Sequence, residues 1–594
     1  MIAIKKIIKK IYKIFFKETP TEKFNREEQE NYQKWIINNE PNEDELKNQR
    51  KVKFKFMPKI SIVIPLYNTP KKYFDELLIS LNEQTYANWE LCLADGSQKE
   101  NEHIKKIISL YGDRIKYKSI GRNKGISGNT NEALKLATGD YIALMDQDDL
   151  LPKFALYEIV KTINENDDVD FIYSDEDKIY EKGDIKIRTS PHFKQDYAID
   201  TLRSYNYICH FSIFSKKLIY RIGEFNSEFD GSQDYDFILR ATENANKIIH
   251  IPKILYNWRI SESSVASGSS AKPYAYEAAK RALLTSLERN DIYNAKVEDS
   301  KVIGLYNVTY PILKEEKISI IIPNKNNKKQ LRKCINSIMK STYNNFEIII
   351  VDSSDNKSIL KYYNKIKENE KIKIELTDYK EYNYFKLCNY GANKSNGEYL
   401  VFLNSDIKIV SKDWLEKILS NCQRNEVGCI GGKILYKNKK IKHAGIALNL
   451  MGLFGNINRL EKSKSPGYFG RIMIQQNVMA ISSQLIGVSK KIFEKVNGFD
   501  FNYKDGYCDV DFCLKINDID KLVVYNPYII GCDKGTIQLK YDEDKTSDEE
   551  ILKKWNKYFI KEDKYFNPNF RKDVSNMRIN PNKIKYEKTK NTYN

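Results

Sequence analysis

The chain has 594 residues, 41% hydrophobic and 30% charged, with a formal net charge of +18 at pH 7. That balance belongs to a globular protein with large cores, and the length suits several domains or fewer large α/β units. Except at the N-terminus, lysine is spread evenly rather than clustered with aromatics, which argues against a nucleic-acid-binding protein and leaves no nucleic-acid partner expected.

The nine cysteines are scattered, with no C-x-x-C pair, so neither a disulfide framework nor a zinc site is indicated, and a reducing cytoplasm fits. No apolar run approaches the roughly 18 residues that would span a bilayer. At the N-terminus, "MIAIKKIIKKIYKIFFK" places Ile4, Ile7, Ile8, Ile11, Ile14 and Phe15 at helical spacing, with lysines on the other face. Lysines every few positions exclude the continuous apolar stretch of a secretory signal. Residues 1–17 therefore read as a helix lying on an anionic membrane surface or packing on the protein's own body. The expected location is cytoplasmic, peripheral at the inner face of the membrane where that helix binds.

After this N-terminal region (1–57) the chain repeats itself. "KISIVIPLYNTPKKYFDELLISLNEQTYANWELCLADGS" starts at Lys59, and "KISIIIPNKNNKKQLRKCINSIMKSTYNNFEIIIVDSSD" starts at Lys317. Each reads as a buried strand, a turn, an amphipathic helix and a second buried strand ending in Asp. The echo continues through "NTNEALKLATGDYIALMDQDD" against "KLCNYGANKSNGEYLVFLNSD", and "GSQDYDFILR" against "GYCDVDFCLK". The apolar strands lack two-residue alternation, which implies an α/β fold with mostly parallel sheets covered on both faces. The expected organisation is two tandem domains, 58–290 and 317–560, joined by a linker at 291–316 and followed by a polar C-terminal tail at 561–594.

In "ALMDQDDLLP" the carboxylates Asp146, Asp148 and Asp149 crowd behind a short apolar strand. Mg2+ or Mn2+ prefers such oxygens and bridges them to substrate phosphates. The competing reading makes Asp148 or Asp149 the cap of a helix starting near Pro152. Asp95 could satisfy the "DGS" turn, and Asp234 could cap the helix of "YDFILRATEN". His210 and His443 read at least as readily as satisfied core histidines.

The ordered set "SIVIPLYN", "NWELCLADGS", "NKGISGNTNEAL", "GDYIALMDQDD" and "GSQDYDFILR" resembles family 2 glycosyltransferases of the GT-A fold. The second copy, with "YLVFLNSD", "IKHAGI", "PGYFGR" and "CDVDFCLK", resembles the same family, closest to its bacterial O-antigen and rhamnan-type branch. The resemblance covers about residues 30–570. It implies that Asp95 contacts the nucleotide base, and that Asp146, Asp148 and Asp149 hold the metal, the ribose and the diphosphate. Tyr67, Lys124 and Gly125 would line the nucleotide pocket, with Asp352 and Asp406 as donor-binding counterparts in the second copy. The metal ligands implied are Asp146, Asp148 and Asp406, and the bases are Asp234 and Asp509.

The implied activity is metal-dependent, inverting hexosyl transfer from a UDP- or dTDP-linked sugar to a growing, lipid-linked surface glycan. Either both copies act, or one acts and the other holds the acceptor. A nucleotidyltransferase would share the sheet and the acids, but "PLYNTPKKY" lacks its glycine-rich loop. Four departures stand out: a single acid, Asp95 or Asp352, where the family often has a pair at the second strand's end, Asn257 where relatives often carry a histidine, Asn404 and Ile407 aligned with Asp146 and Asp149, and no histidines in "IIGCDKGT". The first site is the better equipped.

Overall fold

The computed structural model describes residues 20–98, 102–108, 110–182, 185–260, 273–379, 381–503, 507–534 and 545–582. The basic helix expected over residues 1–17 lies outside them. Among the described residues no helix is long and apolar enough to cross a membrane, and the nine cysteines are free.

The first sheet takes β1 (Ile60–Leu66), β2 (Trp89–Asp95), β3 (Ile115–Ser119) and β4 (Tyr141–Leu144), then β5 (Phe171–Lys182), β6 (Ile185–His192), β7 (Ser212–Ser215) and β8 (Ile248–Arg259). Their spatial order is β3-β2-β1-β4-β7-β5-β6, with β8 paired to β5. The strands β3, β2, β1 and β4 run parallel, and β7 enters antiparallel between β4 and β5. Residues of β1 and β2 are buried with almost no alternation, because helices cover both faces. Since β1 is flanked by β2 on one side and β4 on the other, chain order reverses there. The crevice beyond its carboxyl end is the place where such sheets take ligands.

A hairpin of β9 (Lys296–Asp299) and β10 (Tyr306–Thr309) occupies the expected linker. The second domain then repeats the plan with β11 (Ile318–Asn324), β12 (Phe346–Asp352), β13 (Ile372–Leu376), β14 (Tyr399–Leu403) and β15 (Ile407–Ile409). It continues through β16 (Val427–Leu435), β17 (Ile441–His443), β18 (Ile446–Leu448), β19 (Phe454–Asn456), β20 (Gln476–Asn477), β21 (Leu485–Ser489) and β22 (Leu522–Asp533). The order β13-β12-β11-β14-β21-β16-β22-β15 again places a parallel block beside an antiparallel strand, β21. Antiparallel additions beyond that point make both sheets mixed rather than uniformly parallel.

The two copies share one buried device at the foot of the sheet. Glu90 accepts from Ser61 Oγ at 2.6 Å and Thr138 N at 2.6 Å, beside Lys116 at 2.9 Å. Glu347 accepts from Ser319 Oγ at 2.6 Å and Asn396 N at 2.8 Å, beside Lys373 at 2.8 Å. Burial pushes each carboxyl up, but these donors outweigh it and hold both at about 2. Gly139 and Gly397 sit against the same serines, where a Cβ would come within 2.5 and 2.6 Å of the carbonyls of Lys59 and Lys317.

The domains are joined by buried polar groups as well as apolar surface. Asp200 accepts from Arg424 Nη1 at 2.6 Å, Gln475 Nε2 at 2.7 Å and Asn477 Nδ2 at 2.7 Å. Helix Pro20–Asn39 buries Tyr32 and Trp35 into a cluster that mixes Phe193 and Ile254 of the first domain with the core of the second. The Trp35 ring lies 5.2 Å from Phe193, and truncating such a side chain to Ala costs about 3–5 kcal/mol.

The segment expected as a polar tail from 561 is packed through residue 580. It buries Phe566, Phe570, Met577 and Ile579, and Asn567 Nδ2 donates to the Lys194 carbonyl at 2.6 Å. Its apolar residues are too widely spaced to give a periodic signal, yet each finds a place in a surface already built. Beside it, His250 Nε2 lies 2.8 Å from Asp175 Oδ1 and Nδ1 lies 3.1 Å from Asp196 Oδ1. Burial would lower that imidazole, but the two carboxylates bring it up to about 9.

Candidate functional site

The site grows from the loop after β4. Its backbone is tied down by Gln147, whose Oε1 accepts from Tyr67 N at 2.9 Å and Thr69 Oγ1 at 2.6 Å. The loops following β1 and β4 are thereby held together at the point where the strand order reverses. Asp149 is fully buried, and its Oδ2 accepts from Tyr256 Oη at 2.5 Å and its Oδ1 from Arg259 N at 2.7 Å. Arg259, itself 1% exposed, donates to the Asp148 carbonyl at 2.7 Å and pairs with Glu76 at 2.6 Å and with Glu181. The crowding of acids is thus braced from behind by β8.

The cost of crowding is visible in the carboxyls. Asp149 is pushed well above the ordinary carboxylate range by burial and then by Asp146 and Asp148. Asp148 is raised by burial and by Asp146. His210 approaches from the turn before β7, its Nε2 3.9 Å from Asp146 Oδ2 and its ring stacked 4.6 Å from that of Tyr256. Donor atoms of Asp146, Asp149 and His210 lie within 4.8 Å of one another, the only cluster of three or more possible metal ligands among the described residues. Two carboxylate oxygens and one imidazole nitrogen suit a divalent ion such as Mn2+. The Asp148 side chain, expected among the metal ligands, is not in this cluster, while Asp149 and His210 are.

Asp146 and His210 line a cavity of about 460 Å3 together with Asp234, Glu176, Asn206, Cys209 and Trp258. Asp234 sits in the first turn of helix Gln233–Asn244 and accepts from Asn206 Nδ2 at 2.9 Å. Burial raises its carboxyl, with His210 opposing. Glu176 is pushed up by burial yet brought down to about 2, chiefly by Lys194, 3.3 Å away, and by His192.

The remaining expected residues fall as follows. Asp95 ends β2 and closes its turn, accepting from Ser97 N at 2.9 Å and from Tyr117 Oη at 3.0 Å. Tyr67 is 42% exposed at the rim. The Lys124 ammonium pairs with Glu132 at 2.8 Å. Gly125 has φ 80°, and a Cβ there would lie 2.5 Å from Asp230 Oδ2. Asp230 in turn accepts from Ser127 Oγ at 2.5 Å, in the first turn of helix Gly125–Leu134. Asn257, in the place where a histidine was expected, supports β8 from below by donating to Asp177 Oδ1 at 2.5 Å.

The second copy arranges the matching positions differently. Asp352 accepts from Ser354 N at 2.7 Å, Asn324 Nδ2 at 2.8 Å and Tyr363 Oη. Asp406 Oδ1 accepts from Asn327 Nδ2 at 2.7 Å, and Asp509 Oδ1 from Ser483 N at 3.0 Å. The strand register (Tyr141 opposite Ser215, Tyr399 opposite Ser489) makes Asn404, Ile407 and Gln484 the counterparts of Asp146, Asp149 and His210. Ile407 is 1% exposed in the core. His443 is a satisfied core side chain, its Nδ1 2.6 Å from Asn456 Oδ1, and burial takes it down to about 4.

Sequence reasoning weighed His210 against a core role and missed Arg259, Tyr256, Glu176 and Trp258. A signal for Arg259 was present: a charged residue closing the apolar strand of "ILYNWR" must find a partner or face water.

The family model of glycosyl transferase family 2 matches residues 61–223 and 319–496, so the chain belongs to that family, twice over. Its two domains have the GT-A architecture, one per sheet. An uncharacterized protein (y4gI) of Sinorhizobium fredii is 35% identical over 79% of this chain and 52% of its own length. The O-antigen biosynthesis protein RfbC of Myxococcus xanthus is 29% identical over 82% of this chain and 38% of its own. The chain thus spans about half the length, or less, of these relatives. A solved structure of Staphylococcus aureus TarS 1–349 with UDP overlaps 40% of this chain and 67% of its own, at 23% identity and a TM-score of 0.31.

Proposed function

We propose that the first domain transfers a hexosyl unit from a nucleotide-sugar donor to a bacterial surface glycan, with inversion at the anomeric carbon. The observation that carries this reading is one cavity lined by Asp146 and His210 and, in the same space, by the raised carboxyl of Asp234. Asp146 and His210, backed by Asp149, would hold a Mn2+ or Mg2+ ion, which when bound neutralises charge on a leaving diphosphate. Asp234 takes the proton from the attacking acceptor hydroxyl, and a carboxyl raised toward working pH is the better base. Direct attack assisted by that base needs no covalent intermediate, which supports inversion. Arg259 keeps the acid loop from splaying by holding the Asp148 carbonyl.

The second domain supports this site rather than running a site of its own, since the counterparts of the acid–histidine cluster are two neutral amides, Asn404 and Gln484, and the core residue Ile407, which bring no charge to hold a divalent ion. A UDP- or dTDP-linked donor and a lipid-linked acceptor follow from the family resemblance, and the RfbC name supports a polysaccharide context. The test is turnover of a panel of nucleotide sugars with Mn2+ or Mg2+. Transfer that stops on chelation and returns with the ion is expected, and equal donor binding and turnover in chelator overturns the reading.

A further inference from the structure

The cavity of the first domain is not built by that domain alone. Phe469, from the loop before β20 of the second domain, lines it alongside Asp146, His210 and Asp234. Its ring stacks on His192 with centroids 3.9 Å apart and planes 12° off parallel. It stays 36% exposed, although the neighbouring loop residues Gly470 and Arg471 are buried.

The loop is held for that purpose on both sides. Tyr468 Oη donates to the Pro191 carbonyl at 2.6 Å and accepts from Phe193 N at 2.8 Å, pinning the loop to the end of β6. Phe469 itself has φ 44° and ψ 37°, a left-handed conformation that a bulky side chain adopts only under constraint. Gly467 and Gly470 flank it at φ 68° and 80°, and a Cβ on Gly470 would stand 2.3 Å from Leu305 in the linker hairpin. Backbone held in an unfavourable region in order to present an exposed ring at a cavity wall points to a ligand rather than to packing.

The rest of the cavity lining tells the ligand's chemistry. It includes the rings of Tyr205, Tyr276 and Trp258 and the carboxylates of Glu176 and Asp234. Flat aromatic faces beside hydrogen-bond acceptors match a pyranose, which has an apolar C–H face and a rim of hydroxyls. We propose that Phe469 is the stacking platform for the acceptor sugar of the first domain's reaction, so that the second domain supplies part of the first domain's acceptor subsite. This rests on the glycosyl-transfer reading above and adds the residue and the domain that position the acceptor.

The test uses the full chain with Phe469→Ala, Phe469→Gly and Phe469→Trp. Phe469→Gly relieves the left-handed strain and so guards against a merely misfolded variant. Acceptors are octyl glucoside, galactoside, rhamnoside and N-acetylglucosaminide, and nucleoside diphosphate release to water without acceptor reports the donor half. The expected result is an acceptor KM raised about tenfold in the Ala and Gly variants, the size of one lost ring contact. Donor KM and release to water should be unchanged, and Trp should restore the acceptor KM. An unmoved acceptor KM overturns the proposal, and so does a parallel fall in donor release. Asp146→Asn is the separate control: if it keeps donor turnover, the site reading itself falls, whatever Phe469 does.

Discussion

The two domains are alike at the foot of their sheets and unlike at the top. Ser61, Glu90 and Gly139 are matched almost atom for atom by Ser319, Glu347 and Gly397, with serine-to-carboxylate distances of 2.6 Å in both. At the carboxyl ends, Asp146, Asp149 and His210 face Asn404, Ile407 and Gln484. The foot is a requirement of closing this sheet, because a buried carboxylate with these donors is costly to disturb from either side. The top is free to change so long as the strand ends are satisfied by something. Ile407 shows how it changes: the position that is a buried, braced acid in one domain becomes core in the other, where β15 pairs with β22. A change of residues at the top therefore leaves the fold intact.

The sharpest way to break this comparison is catalytic. Asp146→Asn and Asp234→Asn are expected to lower kcat/KM about 10^2- to 10^4-fold, while Asp406→Asn and Asp509→Asn leave it unchanged, as read by counting sugars added per acceptor. A comparable loss at Asp509 would make the two tops equivalent after all.

Next in size is the joint between domains. Arg424→Ala leaves Asp200 buried beside fewer donors and is expected to cost about 3–5 kcal/mol in urea denaturation. If the domains melted with unchanged midpoints, the buried network would not be what unites them.

The first domain also carries a pH dependence through His250. Its folded value of about 9 lies above the ordinary imidazole value, so its contribution is full below about 6.5 and lost as pH rises through 9. Stability should fall across that window by at most about 3 kcal/mol, and His250→Gln should flatten the decline in thermal melts.

The smallest effect tests the shared foot. Glu90→Gln and Glu347→Gln are each expected to cost about 1–3 kcal/mol, equally in the two domains. Their carboxylates, held at about 2, add stability that is full above the ordinary carboxylate range and lost as pH falls toward 2. Unequal costs at neutral pH would show that the feet have also diverged.

The repeat, the parallel block and the acids at 146–149 were legible because they are local: a buried strand shows as an apolar run, and a loop that gathers charge shows as a string of acids. Asp234 was legible for the same reason, standing at the start of a helix echoed in the second copy. His210 was ambiguous, since "YICHFSIF" fits a core as well as a ligand, and only the tertiary structure brings it to Asp146 and Asp149. Arg259 showed only as a charge in need of some partner and Phe469 gave no signal, because the groups that define them, Asp148 and His192, lie 111 and 277 positions away.

The amino-acid order by itself determined that this chain folds as two versions of one sheet and that the first carries the acids. Hydrophobic runs and charge crowding act over a few residues and need no knowledge of the rest. Which acids converge, which histidine joins them and which domain's aromatic ring closes the cavity were decided only by tertiary packing. Those choices depend on distances of a few ångströms between segments hundreds of residues apart, where burial and a single well-placed donor outweigh any local preference.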